Sequence, residues 1–149
     1  MKPGLNWYED CAVGDRYVTG GIVVTESLIQ AFAGLSGDFF DVHVDDEYAR
    51  RLGFEGRIAH GILGLALTDG LKNRAEQRFR AVASLGWNWK FTGAILIGDR
   101  IHAEIAVTGR RETRRPDRGI VTLAFEVKNQ HGKVVQEGTN DMMVERRPG

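Results

Sequence analysis

The chain has 149 residues, with 20 Lys+Arg against 20 Asp+Glu, one cysteine and 19 glycines. This length predicts one domain over 1–149, the balanced charge argues against a general nucleic-acid binder, and a lone Cys11 excludes an intramolecular disulfide. Glycine stands at ~13% against a usual ~7%; with only three prolines and no Gly-rich run, the surplus points to tight turns and close backbone contacts.

The N-terminus, with Trp7, Tyr8, Glu9 and Asp10, carries no apolar h-region, and no stretch approaches the ~20 apolar residues of a membrane span. A cytoplasmic setting without a membrane partner is expected. Arg16 to Val24, rich in Val, Tyr and Ile, predicts a strand. Thr25 is a good N-cap for a helix from Glu26 to about Leu35, with Leu28, Ala31, Phe32 and Leu35 at helical spacing and Ser36-Gly37 at its end. Asp45 suits the cap of a short helix through Leu52, with Gly53 just beyond. Ile58 to Phe79 is the longest helical candidate. Its first turns are apolar nearly all round and so require burial on most sides, while Lys72 to Arg78 is polar. Gly61, Gly64 and Gly70 each cost this helix up to ~1 kcal/mol relative to Ala, which implies that a curved sheet packs closely on it.

The second half reads as strands. Ala83 to Phe91 alternates, with Leu85, Trp87, Trp89 and Phe91 on one apolar face. Thr92 to Asp99 contains turn residues. Ile101 to Val107 and Val121 to Val127 alternate on either side of an Arg-rich loop from Gly109 to Gly119. Asn129 to Gly132 is a turn, and Lys133 to Val144 a last strand with Gly138 as a bulge candidate. Four strands with short connections predict an antiparallel meander. The expected class is α+β: about five strands wrapped around one long helix.

Two polar clusters stand out. Ser36 to Asp45 lies between two helices and contains Asp38 and His43, a carboxylate and an imidazole able to hold a water and exchange its proton near neutral pH. Taken alone, such residues in a Gly-containing loop are more often turn-formers. Arg57 to Leu63 enters the buried helix, where free N–H groups and the positive dipole end suit a developing oxyanion, and Gly61 lets a ligand approach the backbone. Alternatively, Gly61 serves packing and His60 is a satisfied, partly buried histidine.

Together these segments, SGDFFDVHVDDEYARRLGFEGRIAHGIL over 36–63, resemble the hydratase signature of the MaoC-like group, which includes (R)-specific enoyl-CoA hydratases and related acyl dehydratases. That pattern runs Asp, any residue, Asn-Pro, any residue, His, then a hydrophobic–His–Gly entry to the central helix. It covers about a fifth of the chain. The resemblance implies a hot-dog fold and an acyl-CoA substrate. It implies that Asp38 and His43 are the catalytic pair, that the Gly61 amide receives the thioester carbonyl, and that Ile58, Ala59 and His60 line the substrate site. It also implies a homodimer or an assembly of dimers. Phe40 and Asp41 replace the family's Asn-Pro; Phe40 is expected to wall the acyl pocket, and Asp41 is either a solvated loop residue or a neighbour of His43. The serine that some hydratases carry two turns into the helix is missing, with no hydroxyl before Thr68.

No cofactor is expected. His43 and His60 lack metal-site spacing, so no metal is expected either. The arginines at 110, 111, 114, 115 and 118 suit either a clamp for coenzyme A phosphates or, as the favoured reading, a solvated hairpin tip. Cys11 is expected to be inert, His102 and His131 to be exposed, and Trp87 and Trp89 to fill the core. The rival functions are a hot-dog thioesterase, which usually needs an acid near the helix start where Asp69 is too far along, and a non-catalytic acyl-CoA-binding module.

Overall fold

The alternating segments of the second half form long strands in a computed structural model that describes residues 1–149. In chain order, β1 (Gly4–Asn6) precedes a 3-10 turn (Tyr8–Asp10), β2 (Arg16–Val18) and β3 (Ile22–Val23). Helices α1 (Glu26–Ser36), α2 (Asp41–Val44), α3 (Asp46–Arg51) and α4 (Gly61–Asn73) follow. Then come β4 (Gln77–Phe79), β5 (Ala81–Phe91), β6 (Arg100–Glu112), β7 (Arg118–Lys128) and β8 (Val134–Glu145). The main sheet is six-stranded and antiparallel, ordered β2-β6-β7-β8-β5, with β3 also on β6. Its inward rows, Ile101 to Val107 and Val121 to Val127 at alternate positions, form the core with Leu63 of α4. This is the hot-dog arrangement, a curved sheet around a central helix, with six strands rather than five.

The local signals that depend on neighbouring residues are realised. Thr25 accepts the Leu28 N–H at 3.2 Å, Gly37 closes α1 at φ 79°, and Asp45 caps α3 by accepting the Tyr48 N–H at 3.0 Å. The buried stripe of α1, however, is Ile29 and Ala33 with Leu28 and Phe32; Leu35 is 86% exposed.

Several expectations are corrected. The central helix is shorter than 58–79. At its start, Ile58 bridges to Leu96 and the Ala59 N–H bonds to the Ile95 carbonyl, so 58–60 is extended. At its end, Gln77 to Phe79 pairs in parallel with β1, which buries Phe79. The strand expected over 16–24 is split, because the Thr19 hydroxyl takes the Ala103 N–H and Gly20-Gly21 follows. The meander is only β6-β7-β8. Residues 92–99 cross the mouth of the sheet instead of turning back, pinned to the 58–59 segment and to Val24, so β5 lies beyond β8. The β6 and β7 strands run through most of the Arg-rich segment, leaving 113–117 as the tip.

Gly138 is not a bulge. It pairs in register with Trp89 and Phe125, and a Cβ there would meet the Trp89 ring at 2.6 Å. The bulge of β8 is at Val135, between the Val127–Gln136 and Lys128–Val134 pairs. Gly64 does allow close packing on the central helix, whereas Gly70 has open space around it.

Candidate active site

The loop after α1 is shaped by its own polar side chains. The Asp38 N–H donates to Ser36 Oγ at 3.2 Å, and Asp38 Oδ1 accepts the Phe40 N–H at 3.2 Å. This Asx-type turn starts α2, a helical turn where the sequence reads as loop, and leaves Oδ2 free to face the ring of His43. Buried Val42 anchors α2: its carbonyl accepts the Ile58 N–H at 3.2 Å. In return His43 Nδ1 lies 2.8 Å from the Ile58 carbonyl. A carbonyl only accepts, so Nδ1 carries the proton and the Nε2 lone pair faces outward.

His43 Nε2 stands 3.9 Å from Asp38 Oδ2, with the histidine side chain 11% exposed and the aspartate 51%. That separation is too long for a hydrogen bond, but both atoms can reach one water oxygen at about 2.8 Å. The pair is therefore arranged to hold a water rather than to satisfy itself.

His60 lies beneath this pair. It is 2% exposed, its ring stacks on that of His43 at 3.8 Å, and its Nε2 donates to the Asp38 carbonyl at 2.9 Å. The acceptor fixes the Nε2–H tautomer, and Nδ1 is buried without a hydrogen-bond partner. His60 thus braces the Asp38 loop against the helix start. Asp38, His43 and His60 place polar atoms within 4.8 Å of one another, a convergence that linear spacing did not reveal.

Gly61 begins α4, so its N–H has no intrahelical acceptor. Its lack of a side chain is required by space: a Cβ would meet the Phe91 ring at 2.8 Å. Gly61, Phe91 and His43 form the partition between two cavities. One, about 350 Å³, is also lined by Phe54, Ile58, Ala59, Ile95 and Gln136; the other, about 240 Å³, is also lined by Phe32, Ser36, Asp38, His60 and Ile62. A larger groove of about 380 Å³ over β2, β6 and β7 contains none of these groups. Phe40 lines neither site cavity: it is 58% exposed, with its ring edge-on to Tyr48 at 5.9 Å.

Arg57, just upstream, ties the approach together. Its N–H donates to Asp46 Oδ1 at 2.9 Å, its Nε is 3.3 Å from Asp46 Oδ2, and its Nη1 donates to Glu26 at 2.8 Å. The backbone hydrogen bond, followed by the guanidinium charge, holds the Asp46 carboxyl below its ordinary range.

The residues missed in the sequence are Phe91, Phe54, Ile95 and Gln136. In the sequence Phe91 only shares an apolar face with Trp87 and Trp89; in the fold it is 53% exposed at the cavity partition. Gln136 had one available signal, an amide at an inward position of an alternating strand. The arginine loop stays outside the site. The tip begins nine residues along β8 from Gln136, about 30 Å at the usual strand rise. Arg110 and Arg146 pack on Tyr8, Arg146 pairs with Glu9 and Glu112, Arg147 with Asp10, and Arg115 and Arg118 with Asp117.

Comparison with known proteins identifies the family. The family model described as MaoC like domain matches residues 11–129. An (R)-specific enoyl-CoA hydratase of Aeromonas caviae is 34% identical over 110 residues, 74% of this chain and 78% of that protein. One of Rhodospirillum rubrum is 32% identical over 143 residues, 96% of this chain and 94% of that protein. The crystal structure of a MaoC-like dehydratase from Rhodospirillum rubrum superposes with a TM-score of 0.84 at 33% identity, covering 97% of this chain and 99% of that one. With the signature residues gathered at one helix start, a family match over most of its length and a shared fold, the chain belongs to the MaoC-like dehydratase family.

Proposed function

We propose that this protein is a hydro-lyase that adds water to an α,β-unsaturated acyl-CoA thioester, or removes it from the 3-hydroxyacyl-CoA. The observation that carries the reading is the Asp38–His43 pair, 3.9 Å apart, beside the unpaired Gly61 amide on a shared cavity wall. The thioester carbonyl accepts the Gly61 N–H. As the enolate-like oxyanion develops, that donor and the positive end of α4 stabilise it, which makes the β-carbon electrophilic. The water held by Asp38 and His43 attacks the β-carbon; its proton passes to this pair, and the α-carbon receives a proton. Dehydration follows the same steps backwards. The relatives' names carry an R specificity, and the same configuration is the expectation here.

The reading invokes no metal or cofactor. It takes residues 1–149 as one hot-dog unit in a cytoplasmic setting. It also assigns Ile58 and Ala59 to the acyl wall and His60 to the support of the pair, while Phe40, outside both cavities, has no part in it. The thioesterase alternative loses ground because Asp69 is held by Lys72 at 2.7 Å and by Asn73. Retention of both signature residues at working distance weighs against a non-catalytic module.

A homodimer is part of the proposal. Strand β5 pairs only with β8, so its other edge is open, and Val82, Leu85 and Phe91 along it are exposed. A second copy would cover that edge. Light scattering that returns a monomer would remove the dimer. For the reaction, purified protein is mixed with a short enoyl-CoA while loss of the conjugated thioester absorbance and release of free thiol are followed together. Absorbance loss without thiol supports hydration; thiol release supports the thioesterase, and neither signal supports the binding module.

A further inference from the structure

Gln136 is a carboxamide at an inward position of β8, 1% exposed, where the neighbouring inward rows of the sheet are apolar. Burying such a group costs free energy unless both its halves are hydrogen-bonded, and an apolar residue of similar size would fill the space without that demand. Here both halves are bonded. Nε2 donates to the Gly61 carbonyl at 2.9 Å, and Oε1 accepts the Trp89 indole N–H at 3.0 Å. An indole nitrogen can only donate, so Trp89 fixes which way the amide faces and turns its N–H toward Gly61.

The surrounding residues make this contact possible. Gly64, one turn into α4, has no side chain, and a Cβ there would collide with the Gln136 amide. Gly138 lets the Trp89 ring lean across the strand onto Phe125, with centroids 5.5 Å apart. Three residues far apart in sequence thus form one chain from the sheet to the first residue of α4.

We propose that Gln136 is a positioning residue for the thioester-polarising amide, and that Trp89 orients it; this rests on the hydratase reading above. The Gly61 carbonyl belongs to the peptide after the one that donates, so Gln136 acts through position: it locks the helix start against the sheet so that the Gly61 N–H stays aimed at the carbonyl. A helix start displaced by about 1 Å is enough to cost on the order of 10²-fold in rate.

The test uses the full chain and a short enoyl-CoA, with kcat and KM measured separately and folding checked by thermal melting. Gln136→Leu keeps the volume and loses both bonds; kcat should fall about 10- to 100-fold with KM nearly unchanged. Gln136→Glu still accepts from Trp89 but donates to Gly61 only when protonated. Its kcat relative to the parent protein should therefore fall as pH rises through the carboxyl's titration, a dependence that loss of packing would not produce. Trp89→Phe keeps an aromatic ring and removes only the orienting donor, so it should give a smaller fall in kcat; it also decides the matter if Gln136→Leu does not fold.

A folded Gln136→Leu with the parent kcat, or a Gln136→Glu ratio that is flat with pH, overturns the proposal. If Asp38→Asn abolishes hydration while Gln136→Leu does not change it, only this inference fails. If the parent protein shows no hydration, or Asp38→Asn retains it, the hydratase reading fails and takes the inference with it.

Discussion

At the tip of the β6–β7 hairpin, strong charges are matched; beside the start of α4, polar atoms stand near one another without full partners. Around the tip only Arg111 and Arg114 lack an ion pair or aromatic contact, and Arg118 and then Arg115 hold the Asp117 carboxyl far below its usual range. At the helix start, Asp38 Oδ2 and His43 Nε2 remain 3.9 Å apart, and the first N–H of α4 has no intrahelical acceptor. Both regions are polar, but their chemistry differs. A charge that already has its partner ties the chain together and has little left to offer a ligand. Donors and acceptors held apart by other bonds retain their capacity for substrate, and the bonds that hold them (His43 to Ile58, His60 to Asp38) are themselves satisfied.

The contrast is most exposed to substitution at the pair itself. Asp38→Asn and His43→Ala should each lower the hydration rate by about 10²- to 10⁴-fold, the usual range for a positioned acid or base. Melting temperature should change little for Asp38→Asn, whose side chain is half exposed. An unchanged rate in both variants would erase the distinction between the two regions.

Gly61→Ala comes next. The added methyl meets the Phe91 ring, and overpacking of this kind costs about 1–3 kcal/mol. Activity should fall with stability, and trimming the ring in a Gly61→Ala/Phe91→Leu double variant should recover part of both. A single variant that melts and turns over like the parent would show that the ring moves freely.

Acid sensitivity offers a graded test of the approach to the site. Because Asp46 is held below its ordinary value when folded, its contribution is fully present above roughly pH 4, the value for an unperturbed carboxyl, and is lost as pH falls further. Urea midpoints measured downward from pH 7 should therefore drop more steeply for the parent than for Asp46→Asn. Parallel curves would mean that the Arg57 contacts carry no pH-dependent stability.

The smallest effects are expected at the tip. Arg111→Ala and Arg114→Ala should leave KM for the coenzyme A ester unchanged, and Arg146→Ala should lower the melting temperature slightly without altering kcat. A rise in KM in the first two would return the loop to the binding site, by way of a neighbouring subunit.

Much of this molecule was legible in one dimension, for an identifiable reason. The caps at Thr25 and Asp45, the αL close at Gly37 and the alternating strands depend on residues within a few positions of each other. The pair Asp38–His43 was visible because a five-residue spacing in a turn keeps both on one short segment, and His60-Gly61 because it borders the longest apolar run. The metal-like gathering of His60 with that pair, the partition role of Phe91 and the reach of Gln136 were not visible. Each is a contact between segments 17 to 75 residues apart.

The placement of β5 follows the same division. Its alternation marked it as a strand, but which strand it joins depends on the 92–99 segment crossing the sheet's mouth to bond with Ile58 and Ala59. The sequence by itself determined the periodicities, the caps, the glycine positions and the signature of the family. Only the tertiary structure decided where α4 begins and ends, which glycines face a ring or an amide, and which arginines are spent on ion pairs. Backbone periodicity is set by local sterics and solvent, whereas these outcomes depend on which distant surfaces fit together.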